Sequence, residues 1–130
     1  MRSEFNKCCE ILSIYFRFVA LKNIEKSTGY TIITDWMQSL GNQPFSFQKD
    51  SWQKFEEEYS GIVIAPTGFG KTFSVFFALV IHYLNHPEEY KEGLKLIWIT
   101  PLRSLAKDLA RAMAEALELI GLDWEVGVRN

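Results

Sequence analysis

The sequence contains few cysteines and no excess of positive charge. Cys8 and Cys9 are its only cysteines, and two adjacent cysteines match neither the spacing of a zinc site nor a disulfide framework. We therefore expect two reduced thiols in a cytoplasmic protein. The chain has 14 Lys and Arg against 16 Asp and Glu, and its formal net charge of −2 argues against binding nucleic acid by bulk electrostatic attraction. Any contact with a nucleic acid strand is expected to be local.

The sequence also lacks an apolar run long enough to cross a membrane. Its best candidate, residues 11–21, is interrupted by Arg17 and is shorter than the roughly 20 residues that a membrane-spanning helix needs. No small-residue cleavage site follows it, so a targeting signal is not expected either. We interpret the segment as an amphipathic helix within an N-terminal extension, residues 1–28, to which the sequence assigns no role. No membrane partner is expected.

Internal repeats and low-complexity tracts are absent as well, so the chain is expected to be globular. Its 130 residues are 48% hydrophobic and 23% charged, which is ordinary for a soluble domain. Ten Phe, four Trp and five Tyr supply large apolar side chains, each able to bury roughly 150–250 Å². These residues are sufficient for a genuine hydrophobic core.

Short β-branched runs alternate along the chain with longer runs of helical spacing. The short runs predict buried strands at residues 62–66 and 94–100, with a third beginning at 124–128. Apolar residues at steps of three and four predict helices near 32–40, over 47–59, from the glycine loop to Leu84, and beyond Pro101 to Ile120, where Gly121 fits a C-terminal cap. This alternation implies right-handed crossovers and a parallel sheet, so the predicted fold class is α/β.

A glycine loop joins the first predicted strand to the helix that follows it. Residues 65–72, A-P-T-G-F-G-K-T, match the phosphate-binding pattern G-x-x-x-x-G-K-[ST], with Ala65 in place of the first glycine. Gly68 and Gly70 allow a tight turn in which consecutive backbone N–H groups point at phosphate oxygens. The strand before the loop and the helix after it are the context that the pattern requires. We therefore predict a phosphate loop rather than a glycine turn followed by a solvated lysine.

Lys71 and Thr72 supply the charged and metal-binding groups of this loop. Lys71 is expected at the start of a helix, whose free N–H groups and dipole favour an anion, and its ammonium is able to reach the β- and γ-phosphates of a nucleotide. The Thr72 hydroxyl is a suitable ligand for Mg²⁺, which keeps most of its waters and needs few protein ligands. The predicted phosphate-binding residues are Ala65, Pro66, Thr67, Gly68, Phe69, Gly70, Lys71 and Thr72.

Several stretches of the chain resemble a known protein family. The A-P-T-G core of the loop and the block ITPLRSLAKDLA at residues 99–110 are together similar to motifs I and Ia of the superfamily-two helicases. PFSFQKDSW, at residues 44–52, resembles the glutamine motif of that family. Within the superfamily these stretches, and more weakly GLDWEVGVRN at residues 121–130, are most similar to Lhr-type helicases and ligase-associated DExH-box DNA helicases. The resemblance covers Ile32 to Asn130.

The resemblance implies a fold, a cofactor and a set of binding residues. Residues 29–130 would form the first part of a RecA-like helicase domain 1, a P-loop NTPase fold, in which residues 65–72 hold ATP and Mg²⁺ and Lys71 is catalytic. Gln48 would select adenine, because one carboxamide offers both a donor and an acceptor. The backbone of the tracked strand would be contacted by Thr100, Pro101, Leu102 and Arg103.

The implied parent is an ATP-dependent DNA helicase that acts in DNA repair. DNA is the expected partner rather than RNA, and a DNA ligase and other repair proteins are implied as further partners. The chain departs from the family at Phe69, where a small residue is usual, and it contains no D-E-x-H carboxylate pair and no second motor domain. We therefore expect these 130 residues to bind ATP without useful hydrolysis. They are also expected to be marginally stable, because the predicted strands lack neighbours.

Two other interpretations remain open, and two further features are interpreted as structural. Another P-loop ATPase or a kinase would share the loop, but it would be expected to carry the first glycine and no TPLR block. A non-catalytic nucleotide-binding fragment would share every residue of the site. His82 and His86 have the spacing of a zinc-binding pair but lack the intervening Glu and a third ligand, so we predict two ordinary histidines at a helix end. The acidic run 56–58 is predicted to be a solvated helix face.

Overall fold

The computed structural model describes residues 23–66, 70–90 and 92–129. The helix predicted within residues 11–21 lies outside these ranges. Inside them the chain forms α1 (Thr28–Ser39), α2 (Ser46–Glu56), α3 (Lys71–Asn85) and α4 (Arg103–Ile120), with single 3-10 turns at Ile24–Lys26 and Pro87–Glu89. All four predicted helices are confirmed, with shifted ends. None of the helices in the described ranges combines the length and apolar character needed to cross a membrane.

α1 begins four residues before the predicted position because Ser27 caps it. The Ser27 Oγ atom accepts a hydrogen bond from the Tyr30 N–H at 3.3 Å, which satisfies one of the free donors of the first turn. The boundary expected between residues 28 and 29 therefore falls inside this turn. Gly29 is buried there, its N–H donates to Asn85 Oδ1 at 2.8 Å, and it lies against the backbone of Ile81.

α3 is the central helix, and α1 and α2 both pack against it. A helix that is apolar on nearly all sides is stable only when it is surrounded. Its buried residues are Ser74, Phe76, Phe77, Ala78, Leu79, Val80 and Ile81. Because α3 begins at Lys71, this core fixes the position of the residues that follow the glycine loop.

Trp52 joins α2 to α3. Its side chain is fully buried, its Nε1–H donates to the Ser74 carbonyl at 2.9 Å, and its ring meets Tyr30 of α1 edge to face at 5.9 Å between centroids. The indole thus buries a large apolar area and satisfies its one polar atom.

α4 lies on the core through a single apolar face. Met113, Ala116 and Leu117 are buried, whereas Lys107, Arg111 and Glu115 on the other side are exposed. The helix ends at Gly121, whose φ of 85° is the left-handed conformation that favours glycine. The predicted cap at Gly121 is confirmed.

The three segments predicted as strands form no strand in the described ranges. Side chains of one face, including Leu96, Trp98 and Trp124, pack against the helical core. The opposite face is open, and Ile62 and Ile64 are each 88% exposed. The expectation of strands buried on both faces is therefore wrong. Burial still alternates from one residue to the next along these segments. A sheet also needs neighbouring strands that exchange backbone hydrogen bonds, and the described residues contain no such ladder.

Candidate functional site

The structure describes the glycine loop only at its two ends. Ala65 and Pro66 lead into it, and Gly70 leaves it with a φ of 78° as the N-cap of α3. Thr67, Gly68 and Phe69 lie outside the described residues. A side chain at Gly70 would be strained by the positive φ and would crowd Gln48 Nε2, which is 2.9 Å from the position of a Cβ atom. Glycine is therefore required at the point where the loop becomes a helix.

Lys71 folds across the loop that precedes it. Its Nζ atom donates to the Ala65 carbonyl at 2.6 Å, so the ammonium is held between the two ends of the loop. The first turn of α3 contains no acidic residue and no side chain caps it. Its free N–H groups and the lysine charge together create a positive site at the start of a 15-residue helix. Such a site is suited to a phosphate group.

A cleft of about 380 Å³ opens beside this helix start. Its volume falls within the range that is usual for small-ligand sites, about 300–1,000 Å³. The residues that line it come from the start of α3 and the middle of α4: Gly70, Lys71, Thr72, Phe73, Leu109, Ala112 and Met113. Sequence reasoning identified the first three as ligand-binding residues but missed the α4 residues, whose only signal was the apolar face of that helix.

Gln48 is buried, with 3% of its surface exposed, and its carboxamide is already engaged. Oε1 accepts the Phe45 N–H at 2.9 Å, which is the capping contact expected of a residue in the first turn of α2. Nε2 donates to the Gly70 carbonyl at 3.1 Å. One further N–H and one acceptor lone pair remain on the amide. Gln48 therefore connects the start of α2 directly to the end of the phosphate loop.

The residues predicted to contact nucleic acid lie at the start of α4. Pro101, Leu102 and Arg103 are exposed, and no side chain caps this helix start. Thr100 differs, because its Oγ1 atom is buried and has no hydrogen-bond partner among the described residues. The exposed Arg103 beside free backbone N–H groups is an arrangement suited to a sugar-phosphate chain.

Comparison with known proteins gives a family match. The family model described as DEAD/DEAH box helicase matches residues 45–130, a range that contains Gln48, the glycine loop and the start of α4. No solved structure gives a significant match.

Curated relatives are similar over the same part of the chain. The Lhr helicase/probable uracil glycosylase of Mycolicibacterium smegmatis is 30% identical over 83 residues, covering 64% of this chain and 6% of that protein. The Lhr helicase/uracil glycosylase of Escherichia coli is 31% identical over 59% of this chain and 5% of its own length. The ATP-dependent helicase Lhr-Core of Methanocaldococcus jannaschii is 29% identical over 62% of this chain and 10% of its own length. The matched region thus corresponds to a tenth or less of each relative.

Proposed function

The chain belongs to the DEAD/DEAH box helicase family, and we propose that it is the ATP-binding first part of the RecA-like domain 1 of an ATP-dependent DNA helicase. The observation that carries this proposal is the position of Lys71, which begins α3 and spans the phosphate loop to Ala65. An ammonium at a helix start, next to a cleft of about 380 Å³, fits a nucleoside triphosphate.

Binding of ATP exchanges one partner of Lys71 for another. The ammonium leaves the Ala65 carbonyl and contacts the β- and γ-phosphates, while the N–H groups at the start of α3 donate to the same oxygens. Thr72 borders the cleft, and its hydroxyl would hold Mg²⁺, which would neutralise phosphate charge. Gln48 uses its remaining donor and acceptor for adenine and keeps Gly70 in position.

Nucleic acid binding is assigned to residues 100–103 at the start of α4. Arg103 and the free N–H groups of that helix contact the phosphate backbone, which positions the strand without selecting a sequence. DNA is proposed rather than RNA from the family resemblance. Two of the relatives are named as both a helicase and a uracil glycosylase, and this pairing supports a role in DNA repair. A DNA ligase and other repair proteins are proposed as partners, in the cytoplasm.

The 130 residues are proposed to bind ATP without turning it over. The acidic residues that follow Lys71 include no D-E-x-H pair, and such a pair is needed to activate water and sense the γ-phosphate. A non-catalytic nucleotide-binding role shares this site and differs only in what the parent protein does. DNA-stimulated release of phosphate by the chain itself would contradict the proposal.

The Lys71→Ala variant tests the phosphate site. Loss of the ammonium removes the charge that meets the phosphates, so we expect ATP affinity, measured with a fluorescent nucleotide, to fall by at least about tenfold, the equivalent of one charged hydrogen bond at roughly 1.5–3 kcal/mol. Lys107→Ala, on the exposed side of α4, is the matched control and is expected to bind ATP normally. Equal affinity in Lys71→Ala and the parent would show that the loop does not bind ATP through Lys71.

A further inference from the structure

The C-terminal end of α3 brings together two histidines and a carboxylate that the nucleotide site does not use. His82 lies in the last turn of α3 and His86 directly follows the helix, and their ring centroids are 4.8 Å apart. Glu56, the last residue of α2, reaches this point from the neighbouring helix. The His86 Nε2 and Glu56 Oε1 atoms are 2.6 Å apart. One ligand atom from each of the three residues lies within 4.8 Å of the others.

Glu56 is held in place, with one of its oxygens unsatisfied. Its side chain is only 18% exposed, so the prediction that residues 56–58 form a solvated face is wrong for this residue. Asn85 Nδ2 donates to Oε1 at 3.4 Å, whereas Oε2 is buried and has no hydrogen-bond partner among the described residues. A buried carboxylate oxygen without a donor or a cation is costly. This oxygen is therefore suited to a positively charged ligand.

His82 is oriented by Tyr90. The His82 Nδ1 atom and the Tyr90 hydroxyl are 2.7 Å apart. Burial of the phenol, and then the nearby carboxylates of Glu89 and Glu56, raise the pKa of Tyr90. In the tautomer whose Nδ1–H donates to this hydroxyl, the Nε2 lone pair is free. Histidines that bind metals use a second hydrogen bond of this kind to fix their tautomer and ring orientation.

Glu89 places a second carboxylate near the two histidines. It ends the 3-10 turn Pro87–Glu89, and its two oxygens lie 4.0 Å from His82 Nε2 and 3.9 Å from His86 Nδ1. Its side chain is half exposed and is free to adjust toward an ion. The ligand atoms of Glu56, His82 and His86 form one group, whereas Glu89 belongs to a second group with His86 and Glu88. Glu56 and the two imidazoles thus supply three ligands, and Glu89 would have to move to supply the fourth ligand of a tetrahedral site.

We propose that His82, His86 and Glu56 bind a late first-row divalent cation such as Zn²⁺, with Glu89 or a water molecule in the fourth position. Imidazole nitrogens and carboxylate oxygens are ligands that zinc uses, and neutral imidazole favours such cations over Mg²⁺. An ion pair between Glu56 and His86 accounts for the 2.6 Å contact but gives no role to His82 or to the buried Glu56 oxygen.

Zinc binding is measured by calorimetry on the full chain carrying Cys8→Ser and Cys9→Ser, so that the thiols make no contribution. Excess Mg²⁺ occupies the phosphate loop. We expect one equivalent of Zn²⁺ to bind, and Co²⁺ in its place to give the strong visible absorption of a four-coordinate site. Tyr90→Phe removes an outer hydrogen bond and is expected to lower Zn²⁺ affinity by about 10- to 100-fold, and His82→Ala by more.

Glu56→Gln is the decisive variant, because it keeps the shape of the side chain and removes its charge. Lower Zn²⁺ affinity in Glu56→Gln, with no change in the exposed control Glu115→Gln, supports a site shared by α2 and α3. Equal affinity in Glu56→Gln would mean that only the two histidines bind. Absence of Zn²⁺ binding to the parent chain would mean that the cluster is an ion pair, and either result overturns the proposal. Far-UV circular dichroism checks that every variant keeps its helices.

Discussion

Replacement of Gln48 by leucine tests the link between α2 and the phosphate loop. Leucine fills nearly the same volume, so the change removes the hydrogen bonds to Phe45 N and Gly70 O without opening a cavity. Two hydrogen bonds at about 0.5–1.5 kcal/mol each amount to a loss of about 1–3 kcal/mol in the free energy of unfolding. Gln48 itself is buried, but both hydrogen bonds are only partly buried, so the middle of this range is expected.

Urea denaturation followed by tryptophan fluorescence measures this loss, since Trp52 lies in the interface between α2 and α3. Gln38→Leu, on the exposed side of α1, is the matched control and is expected to stay within about 0.5 kcal/mol of the parent. A Gln48→Leu chain as stable as the parent would refute the structural role of the amide.

The same variant separates the two roles of Gln48 in nucleotide binding. Loss of the Gly70 contact loosens the loop, so the affinity for inorganic triphosphate is expected to fall. Loss of the adenine contact acts only on ATP, so ATP affinity is expected to fall by a larger factor. Both affinities are measured by competition with a fluorescent nucleotide. Equal factors for ATP and triphosphate would refute adenine recognition by Gln48 and leave only its contact with the loop.

Two further predictions concern the stability of the helical core. Gly29→Ala should gain about 1 kcal/mol of helix propensity but should lose about 2–3 kcal/mol to overpacking, because the new methyl meets the Ile81 backbone. The free energy of unfolding, measured with urea, is therefore expected to fall by about 1–2 kcal/mol. The control Gly61→Ala, whose new methyl meets no neighbour, should not destabilise the chain. A Gly29→Ala chain more stable than the parent would contradict this packing. The chain as a whole should melt below about 50 °C by circular dichroism, at the low end for ordinary domains, because apolar residues such as Ile64 and Ile99 are exposed. A sharp cooperative transition well above that temperature would show that these residues are covered in solution.

The sequence predicts the helices and the start of α3 well, because both depend on local patterns. The spacing of apolar residues between Phe73 and Leu84 is enough to define a buried helix, and the glycine loop places Lys71 at its first position. The prediction of strands was wrong for a physical reason. A β-branched run such as residues 62–66 shows only a preference for extended backbone, and a strand exists only when other segments pair with it. Pairing is a property of the surroundings that the run itself does not encode.

Contacts between residues far apart in the sequence could not be predicted either. The pattern around Gln48 indicated adenine, but its contact with the Gly70 carbonyl depends on how α2 lies against α3. The approach of Glu56 to His86 depends on the same packing, and a spacing rule applied to one helix does not include a ligand from its neighbour. Both contacts follow from the burial of Trp52 between the helices.

The packing of α2 against α3 connects the two proposed sites. α3 rises about 1.5 Å per residue, so its ends at Lys71 and Asn85 are roughly 21 Å apart, too far for direct contact between a nucleotide and a cation. α2 reaches both ends, since Gln48 in its first turn bonds to the loop and Glu56 at its last residue meets His86. A cation held by Glu56 and α3 binds only when these helices are paired, and mass action then favours that pairing. The same pairing positions Gln48, so occupation of the cation site would stabilise the half of the nucleotide site that α2 contributes.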